Sequence, residues 1–156
     1  MMGFQTGMNE EQRASVSGAL SKILADTYLL YLKTQNFHWN YTGVEFYPFH
    51  LLFEKQYEEM AEAIDEMAER IRALGFFVEG TTDSFKKITS IKEEHRVIPG
   101  HEMVLQLLQD HETVIRELRN LSLLAEKQHD AATVDLVGRR LVIHEKFAWM
   151  LRSGAR

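Results

Sequence analysis

The sequence predicts an all-α protein, and three observations predict it. Only two prolines, Pro48 and Pro99, occur in 156 residues. Between the turn signals, apolar residues recur at every third or fourth position rather than alternating, which is the spacing of amphipathic helices. These positions fall into four long segments separated by polar or glycine-containing stretches. Four such helices favour a four-helix bundle, formed as a single domain by residues 1–156.

The first two helices are predicted from their apolar stripes and from the turn signals that end them. Helix one is expected from about Glu10 to Gln35, before the NYTG turn at residues 40–43. Its buried face is expected to contain Val16, Leu20, Ile23, Thr27 and Leu30. Helix two is expected from about Phe46 to Leu74, because Pro48 is tolerated in a first turn and Gly75 is typical of a helix end. Its stripe is Phe53, Tyr57, Met60, Ile64, Met67, Ile71 and Leu74.

The remaining chain contains a terminal segment, a long connection and two further helices. Residues 1–9 are expected to form a mobile tail. Residues 75–99 are expected to cross the end of the bundle and to include a short helix around Asp83 to Lys87. The third long helix follows Pro99, and the fourth covers about Ala131 to Arg152. The expected fold is therefore a ferritin-like four-helix bundle with a short extra helix in the connection between the second and third long helices.

Composition excludes several kinds of site. The chain has no cysteine, so disulfides and thiolate zinc sites are excluded, and any metal ligand must come from His, Asp or Glu. A net charge of -5 disfavours nucleic acid as a partner of the chain as a whole. The N-terminus lacks a basic region followed by an apolar core, and no apolar run approaches the roughly 20 residues of a membrane span. We therefore expect a cytoplasmic protein with no membrane partner.

Histidine and carboxylate residues on helix two form two pairs with the same spacing. His50 and Glu54 are four residues apart, as are Asp65 and Glu69, so each pair shares one face of the helix. At about 100° per residue, all four side chains fall within one arc beside the apolar stripe. His50 and Asp65 are about 22 Å apart along the helix axis, so one chain does not bring both to one metal ion.

A second, antiparallel copy of helix two would bring the pairs together. Both pairs are symmetric about the point between Glu59 and Met60. A two-fold axis at that point would place each His50/Glu54 pair opposite an Asp65/Glu69 pair of the partner. Ala61 lies on the same arc and permits close approach, whereas Glu58 has no explanation. Spacing alone leaves two interpretations open, a shared metal site or solvated acidic pairs with a hydrogen-bonding histidine.

Residues 38–70, HWNYTGVEFYPFHLLFEKQYEEMAEAIDEMAER, carry a more specific pattern. The pattern begins with HWN, followed by a glycine three residues later and then a phenylalanine. Next comes a histidine with an acidic residue four positions after it. A tyrosine and then an aspartate before AER complete the pattern. HEKFAWMLR at residues 144–152 extends the pattern. The chain resembles the Dps proteins (DNA-binding protein from starved cells), which are small ferritin-like iron-storage proteins of prokaryotes.

The resemblance implies a di-iron ferroxidase centre at a two-fold subunit interface. Its ligands would be His38, His50 and Glu54 from one subunit, and Asp65 and Glu69 from the other. Trp39 matches the aromatic neighbour of the centre, where it would donate electrons; the alternative is a packing role. Family members often have aspartate at the position of Glu54. The resemblance also implies a hollow dodecamer that oxidises Fe(II), preferably with hydrogen peroxide, and stores ferric mineral, which protects against oxidative damage.

Other acidic and histidine residues are assigned less specific roles. By the same resemblance, Asp130 and Asp135 are candidates for acidic pores through which ions enter, although Arg139 stands where some relatives have another acid. The alternative for Asp130 is a solvated helix start. We expect surface or cap positions for four histidines and a core or interface position for His144; the four are His95, His101, His111 and His129.

The family name raises DNA compaction as an alternative function. Relatives that bind DNA strongly carry a lysine-rich tail, which neutralises phosphates and releases counterions. Here MMGFQTGMNEEQR contains one arginine and two glutamates. The sequence therefore favours an iron-oxidising enzyme, with weak DNA binding and correspondingly weak nucleoid association.

Overall fold

The structure, a computed structural model, describes residues 3–155, and within them it contains helices and no strand. The helices are α1 (Glu10–Asn40), α2 (Phe46–Ala73), α3 (Thr82–Ile88), α4 (Gly100–Lys127) and α5 (Ala131–Gly154). The four long helices form a bundle, and α3 is the short helix predicted in the long connection. The all-α prediction is confirmed. Met1 and Met2 of the expected tail lie outside the described residues. No helix among the described residues has the length and apolar character needed to cross a bilayer.

Side-chain contacts give the direction of each long helix. Arg13, near the start of α1, donates to the carbonyl of Leu74 at the end of α2, so α1 and α2 are antiparallel. Helix α4 is also antiparallel to α1, as shown by two ion pairs, Lys33–Asp110 and Lys22–Glu117. Helices α2 and α4 therefore point the same way. The connection between them must travel the length of the bundle, which is the crossover topology.

A buried carboxylate attaches this connection to α1. Asp26 is inaccessible to solvent and accepts hydrogen bonds from the hydroxyl of Thr89 (2.8 Å) and the backbone N–H of Ser90 (2.6 Å). Its other oxygen lies 3.0 Å from Nζ of Lys22. Because a buried carboxylate is stable only when it is paired or hydrogen-bonded, these contacts hold residues 89 and 90 in one place on α1.

The connection runs along the side of the bundle, so the expectation that it crosses the end was wrong. Beyond Ser90 it follows α1, where Nζ of Lys33 donates to the carbonyl of Lys92 (2.9 Å). It finishes where Gly100 lies against the ring of Tyr41, leaving no room for a side chain at residue 100. The physical reason is the parallel direction of α2 and α4, whose consecutive ends lie at opposite ends of the bundle.

Helix α1 runs five residues past the predicted Gln35, to Asn40, and so ends at the NYTG turn that was predicted to stop it. Phe37 and His38 extend its buried face, and the amide of Asn40 donates to the carbonyl of Asn36. The helix ends at Tyr41, whose backbone is extended. His38 and Trp39 are therefore placed in a rigid last helical turn and not in a loop.

The predicted apolar stripes are largely confirmed. All five residues expected on the buried face of α1 are buried, and the stripe of α2 is buried at Phe53, Met60, Met67, Ile71 and Leu74, with Tyr57 and Ile64 partly exposed. Gly75 follows α2 with a φ of 98°, the left-handed conformation that favours glycine.

A polar layer interrupts the core halfway along the bundle, and it overturns the expectation of a surface or cap position for His111. His111 of α4 is fully buried, with its Nδ1 atom 2.9 Å from Nδ1 of His144 on α5. Nη2 of Arg140 lies 3.0 Å from Nε2 of His144, and the same guanidinium pairs with Glu59 of α2. The core position expected of His144 is confirmed.

Burial lowers the pKa of His111 to about 3 and holds the pKa of His144 well below its ordinary range, with the charge of Arg140 acting in the same direction.

These two histidines predict a loss of stability in acid. In the unfolded chain both would titrate near pH 6.5, whereas in the folded chain they stay neutral. Below pH 6.5 the unfolded chain therefore binds more protons, and the free energy of unfolding should fall as pH decreases from 6.5 towards 3. The slope is at most about 1.4 kcal/mol per pH unit for each histidine. Thermal unfolding between pH 7.5 and 5, at fixed protein concentration, measures it.

The matched comparison for this prediction uses one buried pair and one exposed histidine. His111→Phe/His144→Phe should lose less stability than the wild type on acidification, because two of the titrating groups are gone. His95→Ala removes an exposed side chain and should keep the wild-type slope. Equal slopes in all three proteins would show that the buried pair is not the source.

Candidate metal centre

His38 and His50 hold each other in place across the turn between α1 and α2. Their rings stack with centroids 3.8 Å apart and an interplanar angle of 15°. Nδ1 of His38 lies 2.8 Å from the backbone carbonyl oxygen of His50, and Nδ1 of His50 lies 2.9 Å from the carbonyl oxygen of His38. Each ring is therefore oriented by the backbone of the other residue.

This reciprocal contact also assigns the protons on both rings. A carbonyl oxygen only accepts, so each Nδ1 must carry the hydrogen and donate it. In a neutral imidazole the remaining nitrogen, Nε2, then has a free lone pair. Metal-binding histidines typically have this arrangement, with one ring N–H donated to a carbonyl and the other nitrogen bound to the ion. Both rings are thus prepared to bind metal through Nε2.

Aromatic packing shapes the turn that brings the two histidines together. Gly43 adopts a φ of 135° and its carbonyl accepts from the backbone N–H of Phe46, which starts α2. The rings of Tyr41 and Phe49 stack with centroids 5.3 Å apart. Tyr57, one turn beyond Phe53, meets the ring of His38 edge-on at 5.1 Å. The turn is consequently short and well packed, which limits the movement of both imidazoles.

The three predicted carboxylate ligands lie on one face of α2 and are uncommitted. Glu54 is partly exposed, and Asp65 and Glu69 are exposed. No ion pair within residues 3–155 involves any of them, whereas their neighbours Glu59 and Glu66 are paired with arginines of α5. Uncommitted carboxylates are available to bind a cation without first breaking an internal contact.

The predicted ligands fall into two groups that one chain does not bring together. We call His38, His50 and Glu54 the histidine half-site, and Asp65 with Glu69 the acidic half-site. The rise of α2 separates His50 from Asp65 by about 22 Å. Across the described range no three or more His, Cys, Asp or Glu side chains form a group able to hold a metal ion, so Glu54 does not complete a three-ligand group with His38 and His50. A site that used all five predicted ligands would need a second chain.

Trp39 lies next to the histidine half-site and is 62% exposed. It lines a groove of about 270 Å³ together with Leu32, Asn36 and His95. A large aromatic side chain so exposed in one chain has the character of an interface residue. Its role as an electron donor stays a prediction.

The two pore candidates differ in solvent exposure and in the partners that their carboxylates have within the chain. Asp130 caps the N-terminus of α5 and is only 2% exposed, so the alternative of a solvated helix start was wrong. Burial opposes its ionisation, but hydrogen bonds from Thr133 and Arg70 hold the pKa of Asp130 below its ordinary value. Asp135 is exposed and pairs with Arg139, which also pairs with Glu66. A pore role for either aspartate stays a prediction.

Comparison with known proteins decides the family. The sequence matches the ferritin-like domain over residues 17–154. The DNA protection during starvation protein of Porphyromonas gingivalis is 35% identical over 150 residues, covering 96% of this chain and 94% of the relative. The chain belongs to the Dps family of ferritin-like proteins. A low temperature-induced protein of Nostoc is 40% identical over 149 residues, covering 94% of this chain and 83% of the relative.

Solved structures agree with this assignment to the Dps family. The Dps protein of Vibrio cholerae O1 superposes with a TM-score of 0.94 at 29% identity, covering 100% of this chain and 98% of that one. That protein is described as a member of a broad superfamily of ferritin-like diiron-carboxylate proteins. The Dps protein of Bacillus brevis gives a TM-score of 0.91 at 31% identity, covering 96% and 100%. The predicted ferritin-like bundle is confirmed.

The reciprocal hydrogen bonds predict how loss of each histidine affects metal binding. In His38→Ala the backbone carbonyl at residue 38 remains, so the ring of His50 should keep its orientation, and the reverse holds for His50→Ala. Each substitution should weaken Co²⁺ binding, on the order of 10-fold or more. Because the two rings stack and would bind the same ion, the two losses in binding free energy are coupled, and the double variant should bind Co²⁺ more weakly than either single variant. Calorimetric titration with Co²⁺ measures them.

His95→Ala provides the matched control, because it removes a solvent-exposed imidazole and should leave Co²⁺ affinity unchanged. If either single variant loses as much affinity as the double variant, the remaining ring is not held independently by its backbone contact.

Proposed function

We propose that this Dps-family protein is a ferroxidase, which oxidises Fe(II) at a di-iron centre shared between two subunits and stores the ferric product. The observation that carries this proposal is the reciprocal contact of His38 and His50. It leaves a free Nε2 lone pair on each of the two imidazoles. Glu54, four residues after His50 on α2, has no ion pair within residues 3–155. The likeness to a ferritin-like diiron-carboxylate protein supports iron as the substrate.

The two half-sites supply a complete ligand set when two chains pair. Their α2 members, His50 with Glu54 and Asp65 with Glu69, lie on the same face of that helix, symmetric about the point between Glu59 and Met60. An antiparallel partner helix would set the acidic half-site of one chain beside the histidine half-site of the other. Ala61 is exposed on this face and allows close approach. Two imidazoles and three carboxylates suit Fe(II), and the carboxylates favour the more highly charged Fe(III).

The proposed reaction needs two ferrous ions close together. Reduction of one hydrogen peroxide to two waters takes two electrons and two protons, and two Fe(II) ions supply the electrons as they become Fe(III). One ion alone would supply one electron and release a hydroxyl radical. Binding two ions in one centre therefore protects against oxidative damage. Trp39, adjacent to His38 in sequence, would donate an electron to any radical that escapes.

A homo-oligomer is required by the shared site, and the surface of the chain supports one. Large apolar side chains are unusually exposed on several helices, namely Leu51, Leu123, Val142 and Trp149. Exposed apolar groups of this number in one chain indicate further contacts between copies. We propose a hollow dodecamer in the cytoplasm, built from two-fold dimers, with ferric mineral inside and with Asp130 and Asp135 near the entry pores.

DNA compaction is the less favoured role, although relatives carry the name of DNA protection. Residues 3–9 contain no lysine or arginine. The first arginine, Arg13, is buried: its guanidinium lies 4.2 Å from the centroid of the Phe4 ring and donates to the carbonyl of Leu74. This arginine is therefore not available to phosphates. With a net charge of -5, weak DNA binding remains the expectation.

Rapid oxidation of Fe(II) by peroxide is the direct test of the ferroxidase proposal. Fe(II) is added without oxygen, peroxide or dioxygen is then supplied, and ferric absorbance and hydroxyl-radical adducts are recorded. We expect fast oxidation with peroxide and few adducts. His50→Ala/Asp65→Ala should fall to the rate of iron in protein-free buffer, while His95→Ala should match the wild type. A double variant as fast as the wild type would rule out this centre.

Complementation between two inactive variants tests the sharing of the site. His38→Ala/His50→Ala lacks the imidazoles, and Asp65→Ala/Glu69→Ala lacks the acidic half-site. In a mixed dimer one site combines both defects, and the other joins intact imidazoles to intact acids. Co-refolding should therefore restore oxidation to about half of the wild-type sites in each mixed dimer.

Each variant refolded alone is the control and should stay inactive. If mass spectrometry verifies mixed dimers and they are as inactive as the parents, the ligands are not divided between two chains in this way.

A further inference from the structure

Arg140 places a positive charge inside the bundle, between two groups that bind metal ions elsewhere in proteins. It is 3% exposed. Its Nη2 atom lies 3.0 Å from a carboxylate oxygen of Glu59 and 3.0 Å from Nε2 of His144. Its Nη1 atom contacts the other oxygen of Glu59. One cationic nitrogen thus touches a carboxylate from α2 and an imidazole from α5.

The protons of this layer have the arrangement of a metal-bound histidine. A guanidinium only donates, so Nε2 of His144 must present its lone pair to Arg140. Neutral His144 then carries its hydrogen on Nδ1 and donates it to Nδ1 of His111 at 2.9 Å. Metal-ligating histidines likewise direct one lone pair at a cation and donate the opposite N–H to an acceptor. Here the cation is a guanidinium.

Gln56 is a third polar side chain that we consider as a ligand, about one helical turn before Glu59 on α2. It lies three residues before Glu59, on the same face, and is fully buried. Neither its amide oxygen nor its amide nitrogen has a hydrogen-bond partner within residues 3–155. Unpaired buried amides are costly, and almost all such groups in folded proteins have a partner. A carboxylate, an imidazole nitrogen and an amide oxygen together form a ligand set for a divalent transition metal.

A groove of about 400 Å³ at the surface between α2 and α5 reaches Glu59 and Arg140. Its lining is mixed, with three glutamates and two arginines beside apolar side chains, namely Glu59, Glu62, Glu66, Arg139, Arg140, Ala63, Val142 and Ile143. Arg139 is held at the surface by Glu66 and Asp135. Glu59 and Glu66 are already paired with arginines, which leaves Glu62 to attract a cation. A cation that entered the groove would meet Arg140, whose like charge opposes its entry.

We propose that Arg140 is a built-in cation that closes an intra-subunit metal site formed by Gln56, Glu59 and His144. Helical bundles commonly hold metal ions between facing helices, and this bundle retains donors for one. The guanidinium occupies the place of the ion and satisfies the lone pairs of Glu59 and His144, whereas the amide of Gln56 has no partner within residues 3–155. Divalent metal is thereby kept out of the bundle interior and left to the half-sites on the outer face of α2.

Removing the guanidinium should open the site, and Co²⁺ is the probe. All variants carry His50→Ala/Asp65→Ala, so that binding at the half-sites is disabled and the outcome does not depend on the proposed function. In this background Arg140→Ala should bind one additional Co²⁺ per subunit, measured by equilibrium dialysis and by the visible absorption of ligated Co²⁺. Arg140→Lys keeps a positive charge and is the matched control, with no gain expected. Arg140→Ala/His144→Phe lacks a ligand and should also show no gain.

A stability measurement covers the case in which Arg140→Ala folds poorly without metal. Zn²⁺ should then raise its Tm, and should leave the Tm of Arg140→Ala/His144→Phe unchanged. Two results would overturn the proposal. One is the lack of both a Co²⁺ gain and a Zn²⁺-dependent Tm rise in Arg140→Ala. The other is Co²⁺ bound beside His144 while Arg140 is still present.

Discussion

The carboxylate of Asp26 is the contact on which the arrangement of the bundle depends, because it attaches the long connection to α1. Its bonds to Thr89 and Ser90 join residues more than 60 positions apart in the chain. With the connection held along α1, α4 starts beside Tyr41 and runs parallel to α2. The face of α2 that carries Glu54, Asp65 and Glu69 is left at least partly exposed by the rest of its own chain. Topology thus exposes the surface on which the proposed function relies.

The protein contains two close pairs of histidines, and their surroundings prepare them for different uses. His38 and His50 each donate to a backbone carbonyl, and within residues 3–155 neither ring is hydrogen-bonded to a lysine or an arginine. His144 donates to His111 and faces Arg140. Both arrangements leave a lone pair on Nε2. What differs is the neighbouring charge, since an unpaired carboxylate invites a metal ion and a guanidinium excludes it.

Division of the ligands between half-sites couples the proposed chemistry to association. A single chain holds its imidazoles in a preorganised state but has no acidic group near enough to complete the set. Binding of metal to the completed site would in turn stabilise the dimer, because the ion binds the paired state and not the separate chains. Exposed apolar side chains such as Trp39 and Trp149 would supply the hydrophobic part of association.

The sequence by itself determined the helices, the length of the connection and the placement of His50, Glu54, Asp65 and Glu69 on one face of α2, because positions along one helix are related by a constant rise and rotation. The sequence also indicated that His111 is buried, because His111 falls at the same helical spacing as the buried residues Leu107, Val114 and Leu118. Only the tertiary structure decided which nitrogen of each histidine is free, that Asp130 is held by Arg70, and that Arg140 lies between Glu59 and His144. These features depend on contacts between residues distant in sequence, and local periodicity carries no information about such partners.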